Sequence, residues 1–113
     1  MRQNEIWLIN LDPTVGAEIK KTRPAVIVSD DALGKLPLKI IVPITDWKES
    51  YSIASWMVRI LPDEETGLTK TSSADCFQVR SLSKERFVKR IGNISPPTAE
   101  KIKASLSKVL SIW

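Results

Sequence analysis

The stretch Glu5-Ile6-Trp7-Leu8-Ile9-Asn10-Leu11-Asp12-Pro13 and, eleven positions further on, Pro24-Ala25-Val26-Ile27-Val28-Ser29 decide the fold class. The first is β-branched and aromatic with little polar interruption, and it stops at Asp12-Pro13, a turn-forming pair. The second is a short apolar strand that places proline at its first residue, where a missing N–H is tolerated. Between them, Pro13 to Arg23 reads PTVGAEIKKTR, with one glycine, four charges and no sustained apolar period, so a mobile loop is expected there. Loops of this length carry function or are disordered.

Further strands are expected at 38–44, 54–60, 75–79 and 86–91. Pro43 falls near the end of the run Leu38-Lys39-Ile40-Ile41-Val42-Pro43-Ile44, where pairing is broken or at an edge, and Thr45-Asp46-Trp47 follow just past it. Six short strands with turn signals between them predict a mainly β protein, a small barrel or sandwich. The tail then changes period. Ala99, Ile102, Leu106, Val109, Leu110 and Trp113 form one helical stripe, with Ser95 as N-cap, Pro96 at the first helical position, and Lys101, Lys103 and Lys108 on the solvated side.

At 113 residues the chain is read as one domain, residues 1–113, with a single core. Seventeen Lys plus Arg against thirteen Asp plus Glu give a net charge of +4, which suits a polyanionic partner without requiring one. The lone cysteine, Cys76, and the polar opening Met1-Arg2-Gln3-Asn4-Glu5 lead to the expectation of a reducing, cytoplasmic setting. Apolar runs of about six residues fall far short of the roughly 20 that cross a bilayer as a helix, so no membrane partner is expected. Histidine is absent, which excludes His-dependent triads and His-rich zinc sites, and no cofactor or metal is expected.

Several residues are candidates for chemistry. Arg23 stands at the junction of loop and strand, held extended by Pro24, and together with Lys20 and Lys21 makes a basic cluster suited to a phosphate. Thr45 places a hydroxyl beyond the third strand, with Asp46 beside it and Glu18 in the first loop. Trp47, Tyr51 and Trp56 flank the next loop, and aromatics beside basic groups stack unpaired bases; Trp56, inside a strand, is expected in the core, and Trp7 and Trp113 in packing. Gly16 and Gly34 fit no phosphate-cradling motif.

The string from Glu5 to Ser29, followed by Pro43-Ile44-Thr45, Gly67-Leu68 and Gln78-Val79-Arg80, resembles the MazF/PemK toxins over nearly the whole chain. The resemblance implies a small SH3-like barrel of the CcdB/PemK type with a C-terminal helix, a homodimer, and a sequence-selective endoribonuclease acting on single-stranded RNA, blocked by a cognate antitoxin. It implies catalytic roles for Arg23 and Thr45, a place in the RNA groove for Gln78, and positions near the scissile site for Ser72 and Glu18; Lys20, Lys21, Pro43, Asp46 and Trp47 are expected as further substrate contacts. One departure is plain: Asp75 stands where some members carry an arginine, and Phe77 where an acidic residue is usual. Two other functions fit a similar architecture, a poison of DNA gyrase and an RNA-binding module without cleavage.

Overall fold

The computed structural model describes residues 1–112, so the packing role expected for Trp113 lies outside the described residues. Seven strands form one coiled antiparallel sheet: β1 (Glu5–Asn10), β2 (Thr22–Ile27), β3 (Leu38–Asp46), β4 (Met57–Ile60), β5 (Ser72–Asp75), β6 (Arg80–Ser83) and β7 (Phe87–Asn93). A helix, α1 (Pro96–Val109), follows, with the Ser95 side chain accepting from Thr98 N as the expected cap. The sheet order is β4-β5-β3-β2-β1-β7, with β6 also on β3. The strands at the two ends of this order, β4 and β7, do not pair with each other, so the barrel stays open.

Strand β3 joins the two halves. Its first part pairs with β6 (Leu38↔Ser83 to Ile41↔Arg80), its middle with β2 (Ala25↔Pro43, Ile27↔Ile41), and its last part with β5 (Ile44↔Ala74, Asp46↔Ser72). The partners change at Pro43, as a residue without an N–H allows. Thr45, expected just past this strand, is inside it, because pairing to β5 carries β3 on to Asp46.

The strand expected over 75–79 is a correction. Residues Cys76–Gln78 make a 3₁₀ turn capped by Asp75, and the true strands flank it as β5 and β6. Both lie against β3, so this turn is the corner at which one edge bends around the barrel. The expected Trp56 core position is also corrected: it precedes β4 in a turn, is 41% exposed, and sets its ring edge against Phe77 at 6.3 Å.

Alternation along the strands buries both faces of the sheet. One cluster gathers Val26, Val42, Ile44, Val58, Ile60 and Ala74 beneath Ala99 and Ile102 of α1. The other gathers Ile9, Leu11, Ala25, Ile27, Ile41 and Leu82, with Ile19 from the first loop packed on it. The helix stripe is buried only in its first turns: Leu106 and Val109 are partly buried and Leu110 is 54% exposed. Ser105, off the expected stripe, is buried and donates to Ser55 O at 2.8 Å, tying α1 to the turn before β4.

The turn before β5 is set by two glycines. Gly67 has φ +69°, and a Cβ there would lie 2.0 Å from Ile91 O; a Cβ on Gly92 would lie 2.3 Å from Thr66 O. Backbone therefore meets backbone where the 63–68 turn docks on β7, with Asn93 N donating to Glu65 O at 2.8 Å. Gly92→Ala is expected to destabilise the fold by at least about 2 kcal/mol, read as a lowered urea midpoint, because neither carbonyl has room to retreat.

Candidate active site

Extending the β2–β3 register two residues beyond Ala25↔Pro43 sets Arg23 across from Thr45, both on the sheet face that buries Ala25, Ile27 and Ile41. The core cluster ends there, so the two side chains emerge half-buried at its rim. They line one small cavity of about 110 Å³ together with Pro24, Asp46, Leu68, Lys70 and Ser72. Pro43 is fully buried behind it as part of the strand, a framework residue rather than a surface contact.

Asp46, Lys70 and Ser72 are engaged with partners of their own, whereas Arg23, Thr45 and the neighbouring Thr69 are not hydrogen-bonded through their side chains among the described residues. Lys70 Nζ lies 3.0 Å from both Asp46 carboxylate oxygens, and Ser72 Oγ donates to Lys70 O at 2.9 Å. Ser72 thus braces the segment carrying Lys70. Nothing in the local sequence marks Lys70; it joins the cavity only because the glycine-set turn returns the chain to β3.

The other expected contacts divide into separate groups. Glu18 and Gln78 line a second, broader cleft of about 480 Å³ with Ala17, Phe77, Val79 and Arg80. Gln78 is a clasp there. Its Oε1 accepts from Ile19 N at 2.7 Å, and its Nε2 donates to Asp75 Oδ2 at 3.1 Å. The loop expected to be mobile is thereby tied down, with Ile19 in the core, Lys21 N donating to Asp12 Oδ1, and the Arg86 guanidinium donating to the carbonyls of Asn10 and Asp12. Glu18 caps its own loop by accepting from Val15 N, while Lys20 and Lys21 are exposed.

Trp47 lies two residues beyond Thr45 on the same face. Its ring stands edge-on to Tyr51 at 5.9 Å and carries the Arg59 guanidinium 5.3 Å from its centroid. Arg59 is aligned by the sheet, since Thr45↔Ser73 and Arg59↔Ser73 are successive cross-strand pairs. The result is a row of Arg23, Thr45, Ser73 and Arg59 across β2, β3, β5 and β4, with an indole beside it.

The family model described as PemK-like, MazF-like toxin of type II toxin–antitoxin system matches residues 2–110. The chain belongs to this family. It is 31% identical to the endoribonuclease MazF9 of Mycobacterium tuberculosis over 119 residues, spanning 100% of this chain and 98% of that protein. It is also 31% identical to the Escherichia coli endoribonuclease PemK, over 98% and 83% of the two chains. Among solved structures, MazF from Deinococcus radiodurans superposes with a TM-score of 0.82 at 21% identity over 99% of this chain and 97% of that one. A mycobacterial endoribonuclease in complex with its cognate antitoxin gives 0.78 at 18% identity, covering 100% and 97%.

Within this fold, Asp75 has a structural role. Its carboxylate accepts from Phe77 N and from the Gln78 side chain, and so orients the clasp on the first loop. Phe77 instead turns outward, 68% exposed against Trp56. Burial pushes the Asp75 carboxyl above its ordinary value near 3.8, with the two donors pulling it partly back. A raised native pKa stabilises the fold below the unfolded value, and that contribution is lost as pH rises through the native one. In urea titrations from about pH 3 to neutrality, wild type is therefore expected to lose stability relative to Asp75→Asn as pH increases.

Proposed function

We propose that this chain is an endoribonuclease toxin that cuts single-stranded RNA by attack of the substrate's own 2′-hydroxyl, without a metal. The observation that carries this reading is the Arg23–Thr45 pair at the rim of the core, open to a cavity in which Asp46 and Lys70 are engaged with each other. The 2′-oxygen forms a bond to the neighbouring phosphorus while the bond to the 5′-oxygen breaks, leaving a cyclic phosphate and a 5′-hydroxyl. The nucleophile thus comes with the substrate, and the protein has to align the groups and neutralise the charge of the phosphorane.

Arginine offers a planar fork of donors to two phosphoryl oxygens at once, and Arg23 is held for this by the rigid Pro24 on a paired strand. Thr45 donates to a phosphate oxygen from the opposite strand; the 2′-hydroxyl proton passes to solvent water, and Arg23 gives a proton to the leaving 5′-oxygen and is reprotonated from solvent. Preorganised donors of this kind account for about 10²–10³ in rate each. Trp47 offers an aromatic face to a neighbouring base, and the exposed Lys20 and Lys21 attract the strand. Glu18 and Gln78 line the cleft on the far side of the loop and read the next nucleotides.

The same reading makes the toxin a cytoplasmic homodimer neutralised by a cognate antitoxin. Leu33, Leu36, Leu38 and Ile40 are each at least 44% exposed, an apolar patch of the kind that marks an interface. An antitoxin partner is supported by the solved mycobacterial and Deinococcus relatives that carry one.

Purified protein incubated with long single-stranded RNA in EDTA is expected to release fragments ending in cyclic phosphate. Arg23→Ala is expected to slow this by about 100-fold or more while leaving the thermal midpoint close to wild type. Cleavage by Arg23→Ala at the wild-type rate, or retardation of RNA by wild type without fragments, refutes the assignment.

A further inference from the structure

Lys39 is 6% exposed, the most deeply buried lysine of the described residues, and it makes no ion pair among them. Strand alternation explains its burial. Lys39 shares the inward face of β3 with Ile41 and stands opposite Leu82 of β6, so its stem continues the second core cluster. Lys39 lines a cleft of about 490 Å³ together with Met1, Arg2, Asp31, Gly34 and Lys84.

Three basic side chains thus converge on one acidic one. Asp31 is in part committed elsewhere, since its Oδ1 accepts from Gln3 N at 2.8 Å. Lys84 is fixed at the rim by its backbone N, which donates to Pro37 O at 3.0 Å. An ammonium that makes no ion pair, on a buried stem and beside two other cationic side chains, is the electrostatic complement of a multiply charged oxyanion. The cleft is also away from the Arg23–Thr45 pair: Lys39 and Thr45 are six positions apart on β3, at most about 20 Å at strand spacing.

We propose that this cleft is a second anion site that binds a phosphate group through Lys39, Arg2 and Lys84. The group is carried either by a small free phosphate or by the backbone of a nucleic-acid strand, and the inference stands whether or not the chain cleaves RNA. Lys39→Met keeps the length and apolar stem of the side chain while removing the charge. Arg2→Ala/Lys84→Ala changes only outer groups of the cleft.

The test is thermal denaturation at constant ionic strength, with chloride replaced stepwise by inorganic phosphate. Wild type is expected to gain about 4 °C or more along a saturating curve. Lys39→Met is expected to start at or above the wild-type midpoint in chloride and to lose the saturating gain, and the double variant to lose most of it. A 2′-O-methyl RNA oligonucleotide, which has no free 2′-hydroxyl to attack, distinguishes the two sources. Displacement of phosphate by the oligonucleotide, with weaker oligonucleotide binding by Lys39→Met, assigns the site to a strand; a phosphate response untouched by it assigns the site to a small phosphate. A wild-type response that does not saturate, or one of equal size in Lys39→Met, is ordinary salt stabilisation and overturns the proposal.

Discussion

Strand β3 has to satisfy three partners along nine residues, and Pro43, which has no N–H to donate, lies where those partners change. On one side of this point the strand belongs with β2 and β6, on the other with β5, so a single segment carries the sheet around its bend. The helix, the glycine-set turn and the first loop are all arranged around the two faces this bend creates. One face is closed by Ala99 and Ile102 of α1, the other by Ile19 and Phe87.

The inward face of β3 that buries Ile41 also fixes where polar chemistry appears. Apolar burial fills the middle of the face, and the cluster is too short to cover its ends. At one end Thr45 comes out beside Arg23, and at the other Lys39 comes out beside Arg2 and Lys84. Both cationic positions are therefore placed by rigid, hydrogen-bonded strand rather than by loops, and such placement limits the reorganisation a bound phosphate group demands.

The first loop is held by a side chain from the corner of the sheet. The Asp75 carboxylate aims the Gln78 amide at the backbone of Ile19, 59 residues away in sequence. A side chain that would otherwise be free to face solvent becomes the fastening between the corner of the sheet and the loop that leads into Arg23. Gln78 is thus bound first to the protein's own backbone, and the surface it presents to a ligand is the remainder of that amide.

Local signals were enough to read β1, β2, the first part of β3 and the N-capped start of α1, because these depend on apolar alternation, proline placement and a capping serine within a few residues. The Arg23-Pro24 and Pro43-Ile44-Thr45 motifs were visible for the same reason. The Ser72–Asp75 strand was not, since SSAD carries no apolar pattern and is a strand only because β3 and β4 pair with it on both sides. The apolar look of Cys76-Phe77-Gln78-Val79 misled for the converse reason: the barrel corner turns there, and burial of Cys76 alone does not make a strand. Arg59, Lys70 and Lys39 became notable only in three dimensions, because their neighbours arrive from other strands and turns. Sequence by itself determined the residue types able to do the chemistry and the family to which they belong. Tertiary structure alone decided which of them share a cavity, because cross-strand register and backbone contact, such as Gly92 against Thr66, are set between segments far apart in the chain.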